Sequence, residues 1–196
     1  MEHYYSKQQK SLLNIKKISQ RIKDLMFEFY TASGVFSKEK IDKGTLVLAE
    51  CMIIKKNTKV LDIGCGIGIL GIVAAKLFNA NVVISDINER AVMLAKKNDE
   101  LNNATAEIYQ GNLYEKIKEY DFDSILSNPP QTAGKEICFQ LIGQSKSYLK
   151  NGGILQLVAR HNKGGRTLSE KMKEVFGNVK VIAKKSGYWV YLSVKE

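Results

Sequence analysis

In residues 60–71 the chain reads VLDIGCGIGILG, an apolar strand that contains one acidic residue and runs into a glycine-rich turn. Glycines at positions 64, 66 and 68 permit a tight turn and let the backbone approach a ligand where a Cβ atom would clash. The next residues, Ile67 to Phe78, are predicted to form a helix. A strand, a glycine turn and a helix in this order predict a nucleotide-binding turn.

Two kinds of nucleotide cofactor fit this turn. Residues 66–71 match the G-x-G-x-x-G pattern of NAD-binding domains, and Asp86 lies at the spacing expected for a ribose contact. With Asp62 before them, the same glycines match the D-x-G-x-G-x-G pattern of class I S-adenosyl-L-methionine (SAM) methyltransferases. A phosphate gains nothing from a neighbouring carboxylate, whereas a cationic sulfonium and an ammonium group are attracted to one. Asp62 therefore favours SAM over NAD.

Length and composition limit the possible classes of protein. The chain has 196 residues, 44% of them hydrophobic, which predicts one compact domain with a small appendage. Its cysteines (Cys51, Cys65 and Cys138) form no C-x-x-C pair and have no histidine cluster nearby, so we expect neither a metal site nor a disulfide. The sequence has no run of about 18 apolar residues and no apolar signal core. We therefore expect a cytoplasmic protein without a membrane partner.

The net charge of +10 is unevenly distributed along the chain. Residues 1–59 carry a net +6, residues 60–130 a net −4, and residues 131–196 a net +8. If the two basic ends meet around the cofactor site, they form a positive surface suited to a phosphate backbone. Solvated lysine-rich faces without a nucleic-acid partner would give the same count.

Strands and helices alternate through most of the chain. Short apolar runs separated by helical segments are typical of a parallel sheet covered on both faces. At the end, Val179–Ala183 and Tyr188–Val194 are joined by a turn so short that the two strands must be antiparallel. The predicted fold class is α/β, with a Rossmann-like, seven-stranded, mostly parallel sheet and a C-terminal antiparallel hairpin.

The N-terminal part has a different pattern. Residues 1–20 are polar and basic without a clear period, and we expect them on the surface. From Ile22 the apolar residues alternate with a period of two, which predicts a strand or hairpin ahead of the main sheet. A helix is predicted from Thr45 to Met52. We therefore divide the chain into an N-terminal extension, residues 1–44, and a cofactor-binding domain, residues 45–196.

Ligands in an open α/β sheet gather at the carboxyl ends of the strands. Asp86 ends the second strand of the sheet, where its carboxylate can accept both ribose hydroxyls or instead cap the next helix. Asn112 follows the third strand and either meets an adenine amino group or is an ordinary turn residue. The cofactor-binding residues predicted from strand ends are Asp62, Gly64, Cys65, Gly66, Gly68, Asp86, Ile87, Asn112 and Asn128.

Asn128-Pro129-Pro130 is the most specific signal in the chain. Two prolines directly after an apolar strand fix an extended backbone and remove two amide donors, which leaves an array of acceptors. Transfer of a methyl group to an amino or amide nitrogen requires acceptors on its N–H groups, here the Asn128 side-chain oxygen and the Pro129 carbonyl. We therefore predict Asn128, Pro129 and Pro130 as the catalytic residues, acting by positioning and polar preorganisation. A rigid Asn-Pro turn without catalysis is the alternative.

These motifs resemble those of amino-group methyltransferases with an N/D-P-P-aromatic motif. Within them, the chain is similar to the methyltransferase small domain group, which includes ribosomal RNA guanine-N2 methyltransferases. Residues 3–6, 31–37 and 42–45 resemble the lead-in of that group, and residues 177–179 and 187–190 its closing hairpin. The resemblance implies that Phe36, Ser37 and Thr45 edge the cofactor or substrate pocket. It also implies that residues 45–196 form a class I SAM-dependent methyltransferase domain.

One residue departs from that family pattern. The family places Phe or Tyr after the two prolines, where the ring stacks on the target base, but this chain has Gln131. Glutamine can hydrogen-bond a base edge or a peptide amide and supplies no π-face. Base stacking then comes from another residue, such as Phe36, or the acceptor is not a base.

A basic loop follows the fifth strand of the predicted sheet. It contains Arg160, Lys163 and Arg166 and opens a helix. Cationic side chains and free amides at a helix N-terminus are suited to a phosphate, so we predict an RNA backbone contact here. A plain solvated loop is the alternative.

The sequence as a whole predicts a SAM-dependent N-methyltransferase that acts on RNA, with a guanine N2 of ribosomal RNA as the expected acceptor. Protein-glutamine and adenine methyltransferases share the N-P-P motif and remain alternatives. A non-catalytic RNA-binding module with this fold and an NAD oxidoreductase are two further possibilities.

Overall fold

The computed structural model describes residues 13–35, 40–130 and 134–196. Its strands are β1 (Ile15–Ile22), β2 (Leu25–Ala32), β3 (Lys59–Ile63), β4 (Asn81–Asp86), β5 (Ala106–Gln110), β6 (Phe122–Ser127), β7 (Leu149–Arg160), β8 (Lys180–Lys185) and β9 (Tyr188–Val194). Its helices are α1 (Lys43–Cys51), α2 (Ile69–Phe78), α3 (Glu89–Leu101), α4 (Lys135–Tyr148) and α5 (Gly165–Phe176), with a 3₁₀ turn at His161–Lys163.

The main sheet has seven strands in the order β5-β4-β3-β6-β7-β9-β8. Strands β3 to β7 pair in parallel, and β9 runs antiparallel to both of its neighbours, β7 and β8. The strand order reverses between β3 and β6, which places a crevice at the carboxyl ends of these strands. The predicted fold class, including the C-terminal antiparallel hairpin, is confirmed.

Helices cover both faces of this sheet, which explains why its central strands are continuously apolar. On one face, Leu48 of α1, Ile72 of α2 and Leu94 of α3 belong to one buried cluster. On the other face, Leu141 of α4 and Met172 of α5 belong to a second cluster. The glycine turn and the end of β6 are therefore held between two packed layers.

The N-terminal strands β1 and β2 form a separate two-stranded antiparallel sheet, of which the alternation from Ile22 predicts β2. Phe27 and Phe29 of β2 are buried in the same cluster as α1 to α3. Asn98 of α3 and Asn102, the C-cap of this helix, bond the free edge of β2. The Asn98 amide bonds the backbone of Tyr30 in both directions, at 2.6 and 3.0 Å, and the Asn102 amide bonds the backbone of Glu28. The hairpin is thus fixed to the helix that follows the second strand of the main sheet.

Some element boundaries differ from the predicted ones. Strand β1 lies within the segment predicted to have no regular pattern, because most of its side chains are exposed and carry no apolar signal. Helix α1 spans Lys43–Cys51 rather than the predicted Thr45 to Met52. No helix in the described ranges is long and apolar enough to cross a membrane. The domain boundary after residue 44 stays a prediction.

Candidate active site

The largest concentration of predicted site residues lies in the crevice at the carboxyl ends of β3 to β6. Residues from the glycine turn, from three further strand ends and from the start of α1 line one cavity there. The lining includes Asp42, Thr45, Asp62, Gly64, Cys65, Gly66, Asp86, Ile87, Asn112, Asn128, Pro129 and Pro130. The structure thus brings together side chains that are far apart in the sequence.

The glycine turn is open toward this cavity. Gly64 and Gly66 have φ values of +67° and +57°. Apart from the adjacent residues in the chain, no described residue has a heavy atom within 4 Å of the position a Cβ atom would take on either glycine. Gly68 is the N-cap of α2, with a left-handed backbone. A Cβ atom on Gly68 would lie 3.2 Å from the Cβ of Ala95, so this glycine serves helix packing. Gly64 and Gly66 leave the space that a ligand requires.

Asp62 lies on β3 at the floor of the cavity and is fully buried. Its Oδ2 accepts a hydrogen bond of 2.9 Å from the Gly71 amide. Its Oδ1 is buried and has no hydrogen-bond partner among the described residues. Burial raises the pKa of this carboxyl group to about 7, against the lowering effect of the Gly71 amide. An unpaired buried carboxylate oxygen is costly unless a cationic group meets it.

Asp86 ends β4 and supports the glycine turn from the side. Its Oδ2 accepts a hydrogen bond from the Gly66 amide at 2.8 Å, and its Oδ1 accepts one from the Asn88 amide at 2.9 Å. Burial raises the pKa of the Asp86 carboxyl group to about 6. The N-cap of α3 is Asn88, whose side chain accepts from the amides of Arg90 and Ala91. The capping role considered for Asp86 therefore belongs to Asn88.

Asn128 follows the end of β6, at the edge of the cavity opposite Asp86 in strand order. Its side-chain Nδ2 donates to Asp42 Oδ2 at 2.8 Å and to Thr45 Oγ1 at 2.9 Å. Both amide hydrogens are thereby engaged by the start of α1. The remaining polar atom of the side chain, Oδ1, is an acceptor on a residue that lines the cavity.

The end of β6 is fixed from below. Ser127 is fully buried and its hydroxyl donates to the Ile63 carbonyl at 2.8 Å, which ties the end of β6 to the end of β3. The Asn-Pro-Pro segment and the glycine turn therefore have a defined relative position. Preorganised acceptors of this kind can stabilise positive charge that develops on a nitrogen.

Cys65 lies inside the glycine turn without a nucleophilic role. Burial raises the pKa of its thiol well above the ordinary value, with a further contribution from Asp86. The thiol is therefore neutral at pH 7 and a poor nucleophile. Among the described residues, no group of three or more His, Cys, Asp or Glu side chains could hold a metal ion.

The predicted substrate-binding residues lie outside this cavity or outside the described ranges. Phe36 and Gln131 fall in the segments that the structure does not describe, as does Ser37. Arg160 lies with its guanidinium carbon 5.1 Å from the ring centre of Tyr188. Arg166 forms an exposed ion pair with Glu170 at 3.2 Å. Arg160, Lys163 and Arg166 are not among the residues that line the cavity.

Sequence reasoning missed two polar residues of this region. Asp42 is the N-cap of α1 and accepts from the Thr45 amide at 3.0 Å. The Asp-x-x-Thr spacing ahead of an apolar helix is an N-cap signal that indicates the first role of Asp42, but not its contact with Asn128. Tyr188, at the start of β9, is buried and donates its hydroxyl to Asp42 Oδ1 at 3.3 Å.

Comparison with known sequences establishes the family. The profile of the family described as methyltransferase small domain matches residues 26–192. The chain belongs to this family. The resemblance inferred from the glycine turn and the Asn-Pro-Pro motif is thereby confirmed.

Relatives of known sequence include members of this family with and without a stated activity. The chain is 36% identical to the protein of Bacillus subtilis (strain 168) called "Uncharacterized protein YbxB", over 99% of this chain and 98% of that protein. It is 35% identical to ribosomal RNA small subunit methyltransferase C of Haemophilus influenzae (strain 86-028NP), over 85% of this chain and 50% of that enzyme. The chain thus spans about half the length of the curated ribosomal RNA methyltransferases it matches.

A solved structure of the same family superimposes over most of the chain. The Thermus thermophilus 16S rRNA N2 G1207 methyltransferase (RsmC), in complex with AdoMet and guanosine, matches with a TM-score of 0.82 and 25% identity. The match covers 93% of this chain and 51% of that one. A methyltransferase from Pyrococcus furiosus, 24% identical, shares the fold with a TM-score of 0.69 over 80% of this chain and 87% of that one.

Proposed function

We propose that this methyltransferase small domain protein is a SAM-dependent N-methyltransferase that modifies an exocyclic amino group in ribosomal RNA, specifically a guanine N2. The observation that carries the proposal is the Asn128 side chain, which lines the same cavity as the buried carboxylate of Asp62 and has its amide nitrogen held by Asp42 and Thr45, so that its oxygen is the atom left to accept a hydrogen bond. One end of the cavity suits a cationic cofactor and the other suits an amino group.

The residues of the crevice fit SAM. Asp62 has a buried oxygen without a partner among the described residues, which suits the ammonium group of the cofactor. Because Gly64 and Gly66 have no side chains, the cofactor has room to lie against the backbone of the turn. We assign the ribose hydroxyls to Asp86 and the adenine to the neighbourhood of Ile87 and Asn112, and all three residues line the cavity. When bound, SAM supplies an electrophilic methyl group on a sulfonium. Of the remaining predicted cofactor residues, we assign Gly68, Cys65 and Thr45 a supporting role in this cradle and Asn128 a role toward the methyl acceptor, and Phe36 lies outside the described residues.

Asn128 and the two prolines act on the methyl acceptor. The nitrogen of an exocyclic amino group has its lone pair conjugated with the ring, so its N–H groups must be turned and held before it can attack. Asn128 Oδ1 and the Pro129 carbonyl are the acceptors for those N–H groups, and Pro129 and Pro130 keep the backbone extended. The proton leaves after methyl transfer, so no titrating base is required.

RNA is the proposed macromolecular substrate for two reasons. The chain's relatives include several ribosomal RNA methyltransferases, among them ribosomal RNA large subunit methyltransferase G of Shewanella denitrificans, which is 31% identical over 92% of this chain and 49% of that enzyme. Both ends of the chain are also basic, at +6 and +8. A substrate of this kind implies a cytoplasmic site of action.

Protein glutamine and adenine are the alternative acceptors, and a non-catalytic RNA-binding module is the alternative without turnover. Incubation with tritium-methyl SAM and total bacterial RNA and protein separates them. The proposal predicts label in the RNA fraction. Label confined to protein would favour the glutamine alternative, and absence of label with intact RNA binding would favour the non-catalytic module. Calorimetric binding of NAD in place of SAM would favour an oxidoreductase.

Affinity for SAM is expected to fall as the pH falls below 7. The pKa of Asp62 is raised to about 7 and that of Asp86 to about 6. In the proposed mode of binding, both carboxyl groups must be ionised to contact SAM. Below pH 7 binding must therefore first remove a proton from Asp62, which weakens the affinity by about tenfold per pH unit. Calorimetry between about pH 5.5 and 8.5, in two buffers with different ionisation enthalpies, measures the affinity and the protons released. Equal affinity at about pH 6 and pH 8 would contradict the role of Asp62.

The basic loop after β7 is expected to contribute to RNA binding. Arg166 is highly exposed and its pairing with Glu170 is weak, so its guanidinium can exchange that partner for a phosphate. Replacing Arg160, Lys163 and Arg166 with alanine should weaken RNA binding and lower the slope of log affinity against log salt by up to about 2. The matched control replaces the exposed Lys96, Lys97 and Lys118, which removes the same charge from the acidic middle segment. Equal losses in the two triple variants would indicate net charge alone.

A further inference from the structure

Asn128 is oriented by a residue outside the Asn-Pro-Pro motif. Its Nδ2 lies 2.8 Å from Asp42 Oδ2 and 2.9 Å from Thr45 Oγ1. We propose that Asp42 is a positioning residue that fixes the Asn128 amide with its oxygen directed into the cavity as the acceptor for the substrate amino group. The inference deepens the proposed function and rests on it for the identity of that substrate.

The orientation follows from the chemistry of the partners. An ionised carboxylate only accepts hydrogen bonds, whereas the two ends of an asparagine amide differ, one donating and one accepting. A flipped Asn128 amide would place its oxygen 2.8 Å from an Asp42 oxygen, and two acceptors would then face each other. With Asp42 present, Nδ2 must face α1 and Oδ1 must face away from it. Without Asp42 the amide can rotate, and its donor end would then meet the N–H groups of the substrate.

The charge of Asp42 also acts on the Asn128 oxygen. A carboxylate bonded to the amide nitrogen polarises the amide and increases the electron density at its oxygen. That oxygen is the atom at which positive charge on the attacked nitrogen is stabilised. Asp42 thus strengthens the acceptor as well as aiming it.

Asp42 is itself held on several sides. Its Oδ2 accepts from the Thr45 amide at 3.0 Å, and its Oδ1 accepts from the Tyr188 hydroxyl at 3.3 Å. A Cβ atom on Gly44 would lie 2.8 Å from Asp42 Oδ2 and 2.8 Å from the Tyr188 ring. Because Gly44 has no side chain, the Asp42 carboxylate, the Tyr188 ring and the first turn of α1 can pack against one another.

Three variants separate the roles of Asp42. Asp42→Asn can place its amide oxygen where Oδ2 lies, which keeps both the helix cap and the bond to Asn128 but removes the charge. Asp42→Ser still caps α1, because serine is a good N-cap, but its side chain is too short to hold Asn128 as well. Asp42→Ala loses both functions. A purely structural role as a helix cap predicts that Asp42→Ser behaves like the wild type.

The positioning role makes a different prediction from the capping role. Asp42→Ala and Asp42→Ser should each lower kcat about 10- to 100-fold, the range for loss of a charge-assisted hydrogen bond. Asp42→Asn should recover most of that loss. In all three variants the KM for RNA and the Kd for SAM should change less than about 2-fold, because the lost contact is made to Asn128 and not to either ligand.

A spectroscopic readout tests the same contact without turnover. The two Nδ2 protons of Asn128 give a pair of ¹⁵N-correlated signals, which are assigned by their absence in Asn128→Ala. We expect these signals to be shifted and slow to exchange with solvent in the wild type and in Asp42→Asn. In Asp42→Ala and Asp42→Ser the chemical shifts of the two Asn128 signals should converge, and the two protons should exchange faster with solvent.

The outcomes distinguish this inference from the proposed function. Wild-type activity in Asp42→Ser, a kcat in Asp42→Asn as low as in Asp42→Ala, or unmoved Asn128 signals in Asp42→Ala would each overturn the positioning role. If the wild type transfers no methyl group to RNA, the proposed function fails, and the Asn128 signals alone then decide whether Asp42 orients the amide.

Discussion

Replacement of Asn128 by alanine is expected to lower kcat for methyl transfer by about 100- to 1000-fold, the usual effect of removing one preorganised polar group that acts on developing charge. The variant loses the oxygen that holds the substrate N–H, and the Pro129 carbonyl is left as the only predicted acceptor. The Kd for SAM should change less than about 3-fold, because the proposed cofactor cradle consists of the glycine turn with Asp62 and Asp86 and does not require Asn128.

Single-turnover kinetics with labelled SAM measure this loss, and calorimetry measures the affinity for the cofactor in the same preparation. The control is Asn151→Ala, which removes an exposed asparagine near the start of β7, the end of this strand away from the crevice. Retained turnover in Asn128→Ala would refute the catalytic role. An equal loss of SAM affinity would indicate that Asn128 binds the cofactor rather than the methyl acceptor.

Replacement of Asp62 by asparagine is expected to weaken SAM binding by about 100-fold at about pH 8, because a buried charge pair is lost while the shape of the side chain is kept. The amide oxygen of the introduced side chain can still accept from the Gly71 amide, so the glycine turn should keep its conformation. The pH dependence of SAM binding below pH 7 should also largely disappear. Calorimetry across the same pH range tests both effects.

The same substitution is expected to stabilise the protein without ligand. The folded-state pKa of Asp62, about 7, lies above the value of about 3.9 for an unfolded chain, so the folded state binds the proton more tightly. The free energy of unfolding therefore decreases as the pH rises from about 4 to 7, and the full penalty is present above about pH 7. Asparagine carries no charge to bury, so Asp62→Asn should raise the thermal midpoint at about pH 8 and change it little at about pH 4.

Opposite signs for stability and affinity would identify Asp62 as a residue kept for its ligand. A variant with lower stability at about pH 8 and unchanged SAM affinity would contradict this role. Wild-type protein with saturating SAM provides the matched comparison, because the bound cofactor should remove the penalty.

The fold could be predicted from sequence because its signals are local. The apolar runs of the central strands, the glycines of the turn and the short connection between β8 and β9 each depend on residues that are near one another in the chain. The site at the carboxyl ends of the strands followed from the same information, since Asp62, Asp86 and Asn128 each lie near or just after the end of a predicted strand. The parallel topology brings these ends together.

The contacts that orient the site could not be predicted in this way. The bond between Asn128 and Asp42 joins residues separated by 86 positions, and the bond between Tyr188 and Asp42 joins residues separated by 146. No local pattern encodes such pairs, because they arise only when α1 packs beside β7 and β9. Strand β1 was missed for a different reason: its pairing with β2 is made by backbone atoms, while its side chains are mostly exposed.

The structure shows that the two oxygens of Asp62, the acid before the glycine turn, have different surroundings. In the sequence, Asp62 favours a cationic cofactor over a phosphate because of its charge alone. In the fold, one of its oxygens supports Gly71 near the start of α2 and the other is buried without a partner among the described residues. A single carboxylate therefore bonds the backbone after the turn and keeps one oxygen for the proposed cationic cofactor.

The most direct measurement of the central claim is mass spectrometry of nucleosides after reaction with SAM that carries a deuterated methyl group. Ribosomal RNA and assembled ribosomal subunits are offered separately to the wild type and to Asn128→Ala. The proposed function predicts deuterated N2-methylguanosine with the wild type and its loss with Asn128→Ala. A deuterated methyl group on another atom of RNA, or only on protein glutamine, would contradict the proposed guanine N2 acceptor.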